Sequence, residues 1–81
     1  MSRRNSPSPA QGLNFAGGHL RRLRKKAGLK QSELVARLQL RGWSDLNEPI
    51  VSMIEHGRRG LSDWELKLLL DAIGARWRDL E

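Results

Sequence analysis

Four glycines divide this chain. Gly28, Gly42, Gly57 and Gly74 each follow a short stretch whose apolar residues recur at helical spacing, and each supplies the stop that such a stretch needs. Leu20, Leu23 and Ala27 stand at i, i+3 and i+7, which predicts a first helix from about Gly18 to Ala27 with an almost wholly basic opposite face. Leu34, Val35 and Leu38 form the apolar stripe of a second helix, preceded by Lys30 and extending to Arg41. Asn47 is a good N-cap, Glu48 suits the dipole of a first turn, and Pro49 is tolerated there because its missing N–H needs no intrahelical partner. A third helix therefore starts at Glu48, gathers Ile50, Val51 and Ile54 on one side and ends with Gly57. Ser62 and Glu65 fit the S-x-x-E capping box that opens a fourth, through Leu66, Leu69 and Ile73 to Gly74.

The pieces between these helices are short. Gly42 to Asn47 is rich in turn formers, with Trp43 and Leu46 expected to tuck against the bundle. Ala75 to Glu81 suffices for one or two turns, with Trp77 and Leu80 spaced to fold back as a lid. Strand alternation, hairpin turns and internal repeats do not occur. The expected fold is all-α, a compact four- to five-helix domain over residues 16–81. Residues 1–15 read as a flexible basic arm, since the first dozen, rich in Ser, Pro, Arg and Asn, cannot bury enough apolar surface to offset the entropy of ordering. Arg3 and Arg4 in that arm suit a phosphate backbone or a minor groove, or belong to a plain disordered tail.

Size and composition exclude several functions. A chain of 81 residues holds one domain, and a domain this small buries only about 60% of its unfolded surface, leaving no room for a large cleft. Cysteine is absent, and His19 and His56 have no acidic or thiol partners at metal-ligand spacing, so neither metal nor cofactor is expected. No residues combine a nucleophile with an oriented base, which argues against an enzyme. The apolar run Leu68-Leu69-Leu70 is far short of a membrane span, and the N-terminus lacks the apolar segment of a signal peptide, so a cytoplasmic location is expected.

Charge points to a partner. The net charge is +6, and eight basic residues precede the first acidic one, Glu33. An uncompensated basic third suits a polyanion, whose condensed counterions it releases; a solubilising surface is the plainer alternative. Leu20, Leu23 and Ala27 give the first helix too small an apolar face to insert into a membrane.

Taken together, Leu20-x-x-Leu23-Arg24, Ala27-Gly28-Leu29-x-Gln31, Leu34, Leu38, Val51, Ile54-Glu55-x-Gly57, Leu61-Ser62, Leu66, Leu69 and Ile73-Gly74 resemble the phage Cro and repressor type helix-turn-helix family, also called the XRE family. The resemblance runs from Gly18 to Leu80. It implies a lambda-repressor-like domain whose third helix lies in the DNA major groove, usually as a homodimer on a two-fold site. Arg24 and Glu55 match a buried, structural ion pair. Gln31, with Lys30 before it, matches the start of the second helix, where the family glutamine contacts a phosphate; ordinary helix capping is the alternative. Arg58 and Arg59 match the basic loop along the DNA backbone, or else line a solvated loop.

The expected reading face is unusual. With Ile50, Val51 and Ile54 inward, Pro49 and Ser52 point out, flanked by Glu48 and Met53, with Asn47 as the cap beside them. Met53 offers apolar contact to a thymine methyl and Glu48 an acceptor for cytosine N4, but the outward face from Glu48 to Met53 itself lacks the Arg, Gln or Asn that makes bidentate base contacts. Glu48 and Pro49 are equally explained as good first-turn residues. Two further departures concern the turn, about six residues longer (Gln39 to Ser44) than the family pattern, and Val35, where the family prefers alanine. Arg41 in this stretch has reach to the DNA backbone. The expected function is a sequence-specific, repressor-like transcriptional regulator of bacterial or phage type that binds double-stranded DNA. The alternative is a protein-interaction module, antitoxin-like, presenting Glu48, Pro49, Met53 and Trp43 to a protein partner.

Overall fold

The computed structural model describes residues 16–80, so the expected arm with Arg3 and Arg4, and Glu81 at the other end, lie outside the described residues. Four α-helices follow one another: α1 (Gly17–Lys26), α2 (Gln31–Leu40), α3 (Glu48–Glu55) and α4 (Asp63–Ile73), with a closing 3-10 turn at Trp77–Leu80. No strand occurs among the described residues. None of their helices is long and apolar enough to cross a membrane.

Local chemistry sets the boundaries. All four punctuating glycines have positive φ, from 74° at Gly57 to 104° at Gly42. At Gly74 this lets the backbone turn back on α4, with the Gly74 and Ala75 N–H groups both donating to the Leu70 carbonyl at 2.9 Å. Asn47 accepts a hydrogen bond from the Ile50 N–H at 3.0 Å and starts α3, with Pro49 in the first turn. Ser62 and Glu65 form the reciprocal capping box of α4, at 3.1 Å and 2.9 Å. At the start of α2 the Lys30 N–H donates to the Glu33 carboxylate at 2.9 Å.

One core joins the helices. Leu20 and Leu23 of α1, Leu34, Val35 and Leu38 of α2, Val51 and Ile54 of α3, and Leu69, Leu70, Ala72 and Ile73 of α4 are buried together. Each fully buried Leu, Ile or Val contributes roughly 1.5 to 3 kcal/mol relative to exposure. Helix α2 packs on both α3 and α4, while α1 lies across α3, α4 and the 3-10 turn. Arg37 of α2 also donates to the Ala72 carbonyl at 3.0 Å, placing a cation at the negative end of α4.

The connector between α2 and α3, residues 41–47, is a built structure. Trp43 and Leu46 are buried in the core, as expected. The Trp43 N–H donates to the Leu38 carbonyl at 3.0 Å, and the Gln39 side-chain amide donates to the Leu46 carbonyl at 2.9 Å. The expected lid is only half formed: Leu80 packs against the core, but Trp77 is 53% exposed. The indole instead borders a shallow groove together with Lys67, Leu70 and Asp71 of α4.

Candidate nucleic-acid interface

The placement of α3 depends on a buried polar hub. Arg24 donates from Nε to Glu55 Oε2 at 2.6 Å and from Nη2 to Oε1 at 3.0 Å, with side chains only 8% and 2% exposed. Its remaining nitrogen, Nη1, donates to the Leu29 carbonyl at 2.7 Å, and Gln31 Nε2 donates to Glu55 Oε1 at 3.1 Å. One carboxylate at the end of α3 is thereby tied to α1 and to the start of α2. Desolvating two charges is costly, and a geometry with several donors is what compensates it.

Gln31 thus has a job that its sequence position did not indicate. It neither caps α2, where Glu33 bonds the Lys30 N–H, nor stands free; one of its amide protons is committed to Glu55. The other remains for an outside acceptor. Lys30 beside it is exposed.

On α3 the expected orientation holds. Val51 and Ile54 are buried and Ile50 half-buried, while Glu48, Pro49 and Met53 are exposed and Ser52 is half-buried. Asn47 is occupied by its cap. The outward stripe has one member that sequence reasoning passed over. His56 caps the C-terminus of α3 and is exposed, and Pro49, Ser52, Met53 and His56 stand at i, i+3, i+4 and i+7. That spacing was readable in the sequence. Its Nδ1 lies 2.8 Å from the Ser52 carbonyl, which only accepts, so Nδ1 carries the proton and Nε2 is turned to other partners.

Beyond α3 the two arginines diverge. Arg58 is exposed, and its side chain makes no hydrogen bond or ion pair with the described residues. Arg59 is held by the fold: it donates to Glu65 through Nη1 at 3.3 Å and Nη2 at 3.2 Å, and to the Gly60 carbonyl at 3.1 Å. Its guanidinium lies 5.5 Å from the Trp43 ring centroid. Arg59 therefore clamps the connector to the start of α4. Burial works to raise the Glu65 pKa, but the Arg59 hydrogen bonds and charge, with the Ser62 N–H, outweigh it and lower it below its ordinary 4.5. Arg41 folds back onto the Arg37 carbonyl at 3.1 Å.

Two zones of exposed cations result. Arg21, Arg22, Lys25 and Lys26 cover the outer face of α1. Lys30 and Arg58 flank the C-terminal end of α3, since the hub brings the start of α2 against Glu55 and the Arg58 N–H bonds the Met53 carbonyl at 2.9 Å. The outward stripe of α3, Pro49, Ser52, Met53 and His56, therefore has exposed cations at its C-terminal border.

Comparison with curated proteins and with solved structures finds no match. A family model described as a helix-turn-helix domain matches residues 16–81, in keeping with the resemblance carried by Arg24, Gln31 and the Glu55-x-Gly57 turn. The chain belongs to the helix-turn-helix domain family.

Proposed function

We propose that this chain is a sequence-specific DNA-binding transcriptional regulator, repressor-like and of bacterial or phage type, acting in the cytoplasm as a homodimer on a two-fold site. The observation that carries the reading is the exposed α3 with Lys30 and Arg58 at its border, held in place by the Arg24, Glu55 and Gln31 hub. Helix α3 enters the major groove. Lys30, the remaining amide proton of Gln31, Arg58 and the cations of α1 meet phosphates, and Ser52, Met53 and His56 face base edges. Asn47, Glu48 and Pro49 serve chiefly to start the helix. Arg59 contributes its charge at short range but is not free to follow the backbone. The lengthened connector, with Trp43 as its anchor, sets the angle at which α3 is presented. Repression by occupancy requires no catalysis and no cofactor.

The test is a salt titration of binding to mixed-sequence duplex, followed by selection from random duplexes. Affinity should fall linearly with log[salt], with a slope of about −0.9 for each phosphate neutralised. A flat response, or no binding at low salt, sinks the reading. In that event the exposed Pro49 and Met53, the latter 45% exposed, favour the second reading, an antitoxin-like module that presents α3 to a protein.

A further inference from the structure

Helix α4 has a second face that the DNA reading does not use. Trp64, Lys67, Leu68 and Asp71 stand at i, i+3, i+4 and i+7 along it, opposite the buried Leu69, Leu70 and Ile73. Trp64 is 58% exposed, and Trp77 from the 3-10 turn lies against the same helix, 53% exposed. The side chains of Lys67 and Asp71 carry opposite charges and make no hydrogen bond or ion pair with the described residues. They line a shallow groove together with Leu70, Ala75, Arg76, Trp77 and Arg78.

We infer that this face binds a second copy of the chain, with the two α4 helices antiparallel about a two-fold axis between Lys67 and Asp71. It names the surface of the homodimer and rests on that part of the functional reading. The pattern is complementary to itself. In this register Lys67 of each copy faces Asp71 of the other. Trp64 lies about 7 to 8 Å along the helix from the axis, at a rise of 1.5 Å per residue, and so meets the other copy where the Trp77 groove opens. A knob and a groove at mirrored distances satisfy an isologous contact, in which each surface meets its own image. There the indole stacks beside Trp77 with Arg76 in cation–π reach.

Charge is compatible with the same face. Two chains of net charge +6 repel, and α1 carries most of the excess. On this face Asp63 and Asp71 stand with Lys67, Arg76 and Arg78, Glu65 being taken up by Arg59, so two copies meet here with less excess charge than across the outer face of α1. The area implies reversible association: with half of each indole, out of about 250 Å² for a large aromatic, and Leu68 besides, the interface falls at the low end, under about 1,200 Å² in total.

Sedimentation of the full chain without DNA tests this independently of base or phosphate recognition. The wild type should pass reversibly from monomer to dimer with concentration, and Trp64→Ser should weaken that step tenfold or more. Lys67→Glu and Asp71→Lys should each weaken it alone, because identical copies then oppose like charges. Their equimolar mixture should restore a dimer containing one copy of each, since both inter-chain pairs become attractive. All three positions are exposed or lie on the solvent face, so helical circular dichroism should be unchanged. A wild type that stays monomeric at every concentration overturns the inference and gives the face to another partner or to residues 1–15. Single variants that dimerise as the wild type does, or a mixture that stays monomeric, overturn it equally.

Discussion

Arg24 and Glu55, thirty-one residues apart in sequence, meet through two hydrogen bonds inside the protein, at 2.6 Å and 3.0 Å. Removing one partner leaves the other charged, buried and unpaired. Arg24→Met should therefore cost about 3 to 5 kcal/mol, enough to unfold much of a small domain at ordinary temperature. Replacing both residues by methionine should recover most of the loss. Denaturant melts of the two variants decide it, and equal stability of wild type and Arg24→Met would refute the role given to the pair.

Glu65 makes stability depend on pH. Its pKa in the folded protein is lowered from 4.5, so its contribution is fully present above 4.5 and is lost as pH falls through the folded value. The thermal midpoint should drop on acidification below pH 4.5 more in the wild type than in Glu65→Gln. Identical acid limbs for the two proteins would show that the Arg59 contact does not favour the ionised form. Ser62→Ala, which removes the partner cap, should cost about 1 kcal/mol at neutral pH.

Much of this was legible beforehand because it rests on local rules. The stops at Gly28, Gly42, Gly57 and Gly74, the caps at Asn47 and Ser62, and the inward positions of α3 each depend on a few neighbouring residues, and all appear in the structure. Side-chain partners from distant segments were harder. Gln31 binding Glu55, and Arg59 lying between Trp43 and Glu65, are choices among several acceptors that only the packed fold brings into reach. The exposure of Trp77 belongs to the same group, since spacing along the chain says nothing about how far neighbouring segments cover a residue beyond the last helix.

Arg58 and Arg59 look alike in sequence and should behave differently in solution. Arg58→Ala should weaken binding to all duplexes alike, reduce the salt slope by about 1 and leave stability within about 0.5 kcal/mol. Arg59→Ala should lower stability as well, because the connector loses its clamp. In a background with Trp64 and Trp77 replaced by Phe, fluorescence of Trp43 monitors that release, and an unshifted spectrum on adding Arg59→Ala would contradict it.

Base preference should respond to Ser52, Met53 and His56. Met53→Ala should lose discrimination at a thymine, and changes at any one position should alter preference by up to about 1 to 3 kcal/mol at one base pair. His56→Gln keeps a side-chain N–H donor at the helix end, whereas His56→Ala removes it. If selection from random duplexes returns the same site for all three alanine variants, α3 does not read bases.

The pinning of α3 reaches beyond stability. Asn47 fixes its first turn and Glu55 its last, so a helix of eight residues is fastened at both ends before any partner arrives. Such an element has little freedom to bend or roll toward a duplex. In a complex of the proposed kind the accommodation falls to the nucleic acid, and sequences whose grooves widen or twist at low cost gain an advantage at positions that no side chain touches. Selectivity then comes partly from the compliance of the DNA, which suits a helix with so few polar groups to offer.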